Sequence, residues 1–327
     1  MTRKRAIRLL LVGVPLLLIL AYLAVAWSLS SIILAPFRRT LSEVCEMVEL
    51  FPNCARQQLA PQLAQTYGLP LAQDVQLATE DGLVLNGWYF DNPIDGDCAV
   101  LLLHGFRMNR LEPAVLYGGY FTARGCDLLA YDARAHGESG GTFATFGYYE
   151  HDDARLAVGW LAEHADVPVT QIGLVGDSYG AATALLTAAQ EPAIPFVIAD
   201  STYTDLYRIF GYQAEIGYGP IMRALFLDSG MLLAGWRGSF VPGSVAPIDA
   251  ITQVDAPILL IHSMQDTFTL PEHSQDLLAV ADPARTVLHL TDWGAEHAQS
   301  CLIRPADCHA YFDDFLAVYV PDFGLTP

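Results

Sequence analysis

Gln171-Ile172-Gly173-Leu174-Val175-Gly176-Asp177-Ser178-Tyr179-Gly180, continued by AATALLTAA to Ala189, joins an apolar run to a helix-forming one through a glycine-flanked serine. A short apolar run ends at Gly176 and a helix-forming run begins at Tyr179, so Ser178 stands at a strand-to-helix turn. The pattern GxSxG alone is weak. Between a strand and a helix it describes a turn in which a strained serine needs flanking glycines for chain and helix to cross closely. Ser178 then projects above a helix N-terminus, which favours negative charge, and the Tyr179 N–H points where an oxyanion would develop. The bland alternative is a serine that merely caps the helix.

The same rhythm recurs on both sides of this segment. Short apolar runs alternate with helix-like stretches: AVLLLHG then 112–123, DLLAYD then 150–164, PFVIAD, APILLIHS then 272–281, RTVLHL and finally 310–318. Runs without polar alternation are strands covered on both faces, so the pattern predicts a mostly parallel sheet with helices on both sides. A hairpin over 74–77 and 83–85, turning at Glu80-Asp81-Gly82, precedes it. Between Asp200 and Pro257 no strand is legible. That interval is rich in large apolar groups, and we read a small helical cap over about 203–250, with an ordinary core-closing helix pair as the alternative.

A serine nucleophile needs a base, and the base needs a carboxylate. Of the histidines after Ser178, His262 ends a strand, His289 lies within one, and His273 and His309 fall at or inside helices. Only His297 lies in a loop beyond the last strand, in Trp293-Gly294-Ala295-Glu296-His297. Asp266, in the loop after ILLIHSMQ, is the expected acid and Asp200 its rival. The Phe106 N–H, after His104-Gly105, is the expected second oxyanion donor beside Tyr179, with His104 supporting that loop.

These motifs occur in order: EDG, His104-Gly105, DARAHGES over 132–139, GDSYG, HSMQD and GAEH. Over about residues 70–320 the chain resembles the α/β-hydrolases, and most of all bacterial membrane-anchored hydrolases of the prolyl-oligopeptidase-like or serine-aminopeptidase-like type. The resemblance implies an α/β-hydrolase fold with an eight-stranded sheet, its second strand antiparallel, and Ser178, Asp266 and His297 as catalytic triad. Ala135 stands where that family usually has Gly, which we expect to alter one surface turn slightly. Asp132 and Arg134 are expected to tie the turn after their strand.

The ends and the charge place the domain. After Arg8 no charged residue occurs until Arg38, and Leu9–Leu34 is long enough to span a bilayer. Arg3, Lys4, Arg5 and Arg8 mark the cytoplasmic flank by the positive-inside rule, so the rest of the chain faces outward. Residues 1–35 are thus expected as a membrane anchor, 36–70 as a linker, and 71–327 as the hydrolase domain. Ala24-Val25-Ala26 also resembles a signal-peptidase site, which would give a secreted or periplasmic form instead. Beyond the anchor, 36 acidic residues face 13 basic ones. Such a body is repelled by nucleic acid and by anionic membrane surfaces; the charge keeps the domain soluble or reflects high-salt conditions. The six cysteines fit export and disulfides, with Cys45 near Cys54, Cys301 near Cys308, and Cys98 and Cys126 each just before a strand; spacing alone does not choose among their pairings. No CxxC or Cys/His spacing suggests a metal, and we expect no cofactor.

The expected chemistry is acyl transfer: a serine hydrolase cleaving a carboxylic ester of a moderately apolar acyl group, in a small-molecule or lipid-like substrate. A peptidase or amidase, an acyltransferase, and a membrane-tethered interaction protein without activity are the alternatives. A dehalogenase or epoxide hydrolase would carry a carboxylate where Ser178 stands. The oligomeric state has no signature in the sequence.

Overall fold

The computed structural model describes residues 3–324 apart from 49 and 95; of residues 3–10 only the backbone is described, so the basic side chains expected to flank the anchor lie outside it. Eight strands form one sheet: β1 (Gln73–Ala78), β2 (Val84–Phe90), β3 (Ala99–Leu103), β4 (Asp127–Tyr131), β5 (Ile172–Asp177), β6 (Val197–Asp200), β7 (Ile258–Ser263) and β8 (Thr286–Thr291). Their order is β1-β2-β4-β3-β5-β6-β7-β8. β2 pairs antiparallel with both neighbours and every other pairing is parallel. The sheet is therefore mixed, with one reversed strand.

The helices used below are α1 (Arg3–Leu34), α2 (Leu41–Met47), α3 (Arg56–Tyr67), α4 (Glu150–His164), α5 (Tyr179–Ala188), α6 (Leu206–Tyr218), α7 (Pro220–Gly238), α8 (Glu272–Val280) and α9 (Pro305–Tyr319). Side chains of a strand alternate between faces, so two cores form. Leu101, Leu129, Leu174 and Leu260 pack with Ala157 and Leu161 of α4 and Leu185 of α5. Val100, Leu102, Leu128 and Leu259 pack on the opposite face with Leu63 of α3 and Phe312 and Leu316 of α9. The segment 36–70 thus does more than connect: Leu41, Val44, Leu59 and Leu63 are buried in the second core.

The interval after β6 is the helical hairpin α6–α7, which stands over the C-terminal ends of the strands. Its inner residues serve the core as well, with Leu206, Ile209, Met231 and Ala234 buried in the first cluster. Cap and core-closing helix pair are here one structure. The cysteines pair as Cys45–Cys54, Cys98–Cys126 and Cys301–Cys308. The middle pair follows from register: β3 and β4 are parallel neighbours with Ala99 opposite Asp127, and each cysteine directly precedes its strand.

Ala135 corrects one expectation. It is only 1% exposed, so the turn is buried, not superficial, and it takes φ +63°, the left-handed region that favours glycine. Asp132 and Arg134 hold that turn. The Asp132 carboxylate accepts from the backbone N–H of Arg110 and Glu138, and Arg134 pairs with Asp153 through two bonds of 2.7 Å.

Candidate active site

The turn between β5 and α5 has the strain that its sequence implies. Ser178 sits at φ +50°, ψ −112°, and its N–H is held by the Asp200 carbonyl at 2.7 Å. A Cβ on Gly176 would lie 2.6 Å from the Gly180 carbonyl carbon, and one on Gly180 would lie 2.2 Å from the Leu103 oxygen. Only glycine at both positions lets α5 cross β3 so closely.

The parallel strands end along one edge, and their loops bring the sequence-predicted residues together. His297 Nε2 is 2.8 Å from Ser178 Oγ, and its Nδ1 is 2.7 Å from Asp266 Oδ2. The other Asp266 oxygen accepts from the N–H groups of Phe268 and Thr269 at 2.8 and 2.9 Å. Burial opposes charge on Asp266, but hydrogen bonds from His262 and His297 outweigh it and hold its carboxyl well below the usual range. Asp266 therefore stays ionised, as an orienting carboxylate must. Gly294, at φ +78°, turns the chain toward His297, and the Cys301–Cys308 bridge follows four residues later.

Asp200, the rival acid, faces elsewhere. Its side chain takes hydrogen bonds from Ser201 at 2.9 Å and from Tyr117 at 3.3 Å, and burial pushes its carboxyl up to about 6. His104 braces the loop expected to donate to the oxyanion: Nε2 accepts from the Ala133 N–H at 2.9 Å and Nδ1 lies 2.7 Å from the Gly105 carbonyl. Burial also pushes His104 down, keeping it neutral for that role. The Phe106 N–H has no acceptor among the described residues, and Tyr179 opens α5, where an N–H has no partner one turn earlier.

Sequence reasoning missed two groups. His262 lies 3.2 Å from Asp266 Oδ2, so the carboxylate has a second imidazole against it. Its signal was the four-residue spacing in HSMQD, set aside because His262 ends a strand. Glu112 had no signal at all. Its Oε2 accepts from the Gly105 N–H at 2.8 Å, directly before Phe106. Its carboxyl also stands beside Asp177, whose two buried oxygens receive no N–H or O–H donor. Burial raises Glu112 to about 7 and Asp177 well above its usual range, the second also because Glu112 is near. Two buried carboxyls in contact share a proton, which supplies the missing donor.

A cavity of about 720 Å³ leads to Ser178. Phe106, Phe146, Phe210 and Leu227 line it, together with Leu29 and Ile33 of α1. Its acidic lining residues are Glu112 and Asp177, and its wall is otherwise largely apolar. Among the described residues, no group of three or more His, Cys, Asp or Glu side chains could hold a metal ion.

Comparison with known proteins agrees with this architecture. The family profile of X-Pro dipeptidyl-peptidases (S15 family) matches residues 54–216. The uncharacterized protein YqkD of Bacillus subtilis is 31% identical over 214 residues, covering 65% of this chain and 68% of its own. The uncharacterized protein Rv2307c of Mycobacterium tuberculosis is 32% identical over 230 residues, covering 67% and 71%. Among solved structures, the esterase Pf2001 of Pyrococcus furiosus superposes with a TM-score of 0.61 at 25% identity, over 78% of this chain and 95% of its own.

Proposed function

Because the chain belongs to the α/β-hydrolases, of the prolyl-oligopeptidase-like type, we propose that it is a serine hydrolase cleaving carboxylic esters of a moderately apolar acyl group. The observation that carries this reading is the unbroken line Ser178–His297–Asp266 opening into an apolar cavity. With Asp266 ionised, His297 carries its proton on Nδ1 and offers Nε2 to the serine. Ser178 Oγ attacks the ester carbonyl carbon while its proton passes to Nε2. The oxyanion is met by the N–H groups of Phe106 and Tyr179 above the α5 N-terminus. Collapse breaks the bond to the alcohol oxygen, which leaves with the proton from His297. Water then repeats the sequence, freeing the acid and restoring Ser178.

Removal of amino-terminal residues from peptides is the second reading, favoured by the S15 profile. A substrate ammonium would call for a fixed carboxylate in the cavity. Glu112 and Asp177 are its acidic lining groups; burial opposes charge on both, and any charge the pair keeps is held against the proton they share. That supports an apolar ester over a charged peptide terminus. Full-length protein in detergent, given a panel of acyl esters and aminoacyl amides, tests the choice. Hydrolysis of the amides alone would overturn it, and a fluorophosphonate that fails to label Ser178 would overturn the serine mechanism itself.

We further propose that α1 anchors the chain in the cytoplasmic membrane with the domain outside. The segment Leu11–Leu34 is long and apolar enough to cross a bilayer, and three disulfides suit an oxidising compartment.

A further inference from the structure

Helix α1 joins the domain without a loose tether. From Ala26 onward it is part of it: Ala26, Ser30, Ile33 and Leu34 are buried. It runs parallel to α7 in matched steps. Tyr22 stacks on Phe226 at 4.8 Å and donates to the Leu225 carbonyl at 3.0 Å. Further along, Gly230 admits Leu29, whose Cβ would lie 3.3 Å from a Cβ there, and Arg237 lies 4.1 Å over the Trp27 ring while donating to Ser30 and Ser31.

This packing constrains where a bilayer can lie. The charges of the N-terminal flank end at Arg8, and the stretch 9–25 rises only about 26 Å at 1.5 Å per residue. The hydrocarbon core is roughly 30 Å thick. A bilayer crossed by α1 must therefore also cover the part of α1 that carries α7. The outer side of α7 suits that position, with Ile221, Leu225, Leu232 and Trp236 between 56% and 73% exposed. The two charges near the hairpin tip, Glu215 and Arg223, pair with each other, and Asp228 lies between the Tyr22 and Leu29 levels. The cavity reaches the surface on apolar ground as well: Ile32, Met47, Tyr218 and Phe268 both line it and are exposed.

We propose that the α6–α7 hairpin is immersed in the bilayer leaflet next to the domain, and that the cavity takes a long-chain acyl ester sideways from that leaflet, between α1 and the cap. The substrate class rests on the ester hydrolysis proposed above; the immersion rests on the packing alone. An apolar chain passing directly from lipid to an apolar cavity is never exposed to water, so the cost of hydrating it does not arise.

Full-length protein in phosphatidylcholine nanodiscs tests both halves. All six native cysteines are in disulfides, so Ile221→Cys accepts a single nitroxide at an exposed position. Spin relaxation should respond to oxygen more than to an aqueous nickel complex. The opposite ranking overturns immersion. In the second arm, Leu225→Glu/Leu232→Glu places charges on the lipid side of α7, away from the cavity wall. Turnover of an umbelliferyl palmitate held in the nanodisc should fall roughly tenfold or more, while that of a water-soluble butyrate ester is unchanged. Equal palmitate turnover by both proteins overturns lateral entry and leaves the Ser178 chemistry standing. Failure of the wild type on both esters overturns that chemistry and the substrate class with it, whereas the nitroxide result still decides immersion.

Discussion

Glu112 offers the most direct test of how the site is held. Its carboxyl titrates near 7 in the native state against an ordinary value of 4.5. Below about pH 4.5 it is protonated in folded and unfolded chains alike, so it contributes no pH dependence. Between 4.5 and 7 the folded state keeps a proton that the unfolded state has lost, and stability falls as pH rises. At 1.36 kcal/mol per unit the loss amounts to about 3 kcal/mol, complete above pH 7. Glu112→Gln removes the titration and keeps an oxygen for the Gly105 N–H. Its side-chain NH2 can donate to the Asp177 oxygens that lack a donor. The stability of Glu112→Gln relative to wild type should therefore improve by about 3 kcal/mol as pH rises from 4.5 to 8. Asp153 and Asp200, both pushed up to about 6 by burial, titrate in both proteins and largely cancel from the difference, whereas Asp177 is relieved of the Glu112 charge in the variant, which adds to the gain in the same direction. Denaturant unfolding of the detergent-solubilised chain at four pH values measures it. Parallel pH profiles for the two proteins would refute the shared proton.

Three further outcomes are expected. His297→Ala should lower kcat by roughly 10⁴–10⁶ on the best ester substrate, whereas His309→Ala, at a ring packed on Tyr120 and Phe312, should leave kcat nearly unchanged; the reverse ranking in steady-state assays would remove His297 as base. Cys301→Ser and Cys308→Ser should each reduce kcat and heat tolerance alike, with the double variant no worse than either, and additive losses in thermal inactivation would exclude a bridge acting through the His297 loop. Protease added to intact spheroplasts should digest the domain and spare cytoplasmic proteins, and a protected domain, or a soluble form starting near Trp27, would exclude the anchored topology.

Much of this architecture was legible because its signals are local. GDSYG lies within a strand, turn and helix that occupy seventeen neighbouring residues, Ile172–Ala188, and parallel strands announce themselves by unbroken apolar runs. His297 is singled out by elimination among loops, which chain order makes possible, and it lies 2.8 Å from Ser178 Oγ. What escaped depends on contacts between distant positions. Glu112 and Asp177 meet only once β3 and β5 are adjacent, so neither position marks the pair. The helical stretch 112–123 was expected, but not the π turn over Ala114–Gly118 within it. A helix facing lipid and a helix facing protein have one composition, so nothing in Leu9–Leu34 distinguishes the turns that pack on the cap from those that do not. The turn at Ala135 misled for a related reason: short polar-flanked turns read as surface, yet here Arg38 crosses it and donates to the Ser139 and Gly141 carbonyls.

The close seating of Leu29 on Gly230 bears on how the enzyme matures. Helix α1 supplies one wall of the cavity, and the cap that faces it lies two hundred residues further along the chain. In the anchored topology proposed above, α1 would already stand in the bilayer when the cap forms, and the cavity would gain that wall only when the two dock. A fragment begun after residue 35 would fold its sheet around the same serine but with that wall missing, its cavity open to water and its cap without a neighbour. Catalytic competence would then be a property acquired at the membrane, at the moment of assembly, and not one that the sheet possesses by itself.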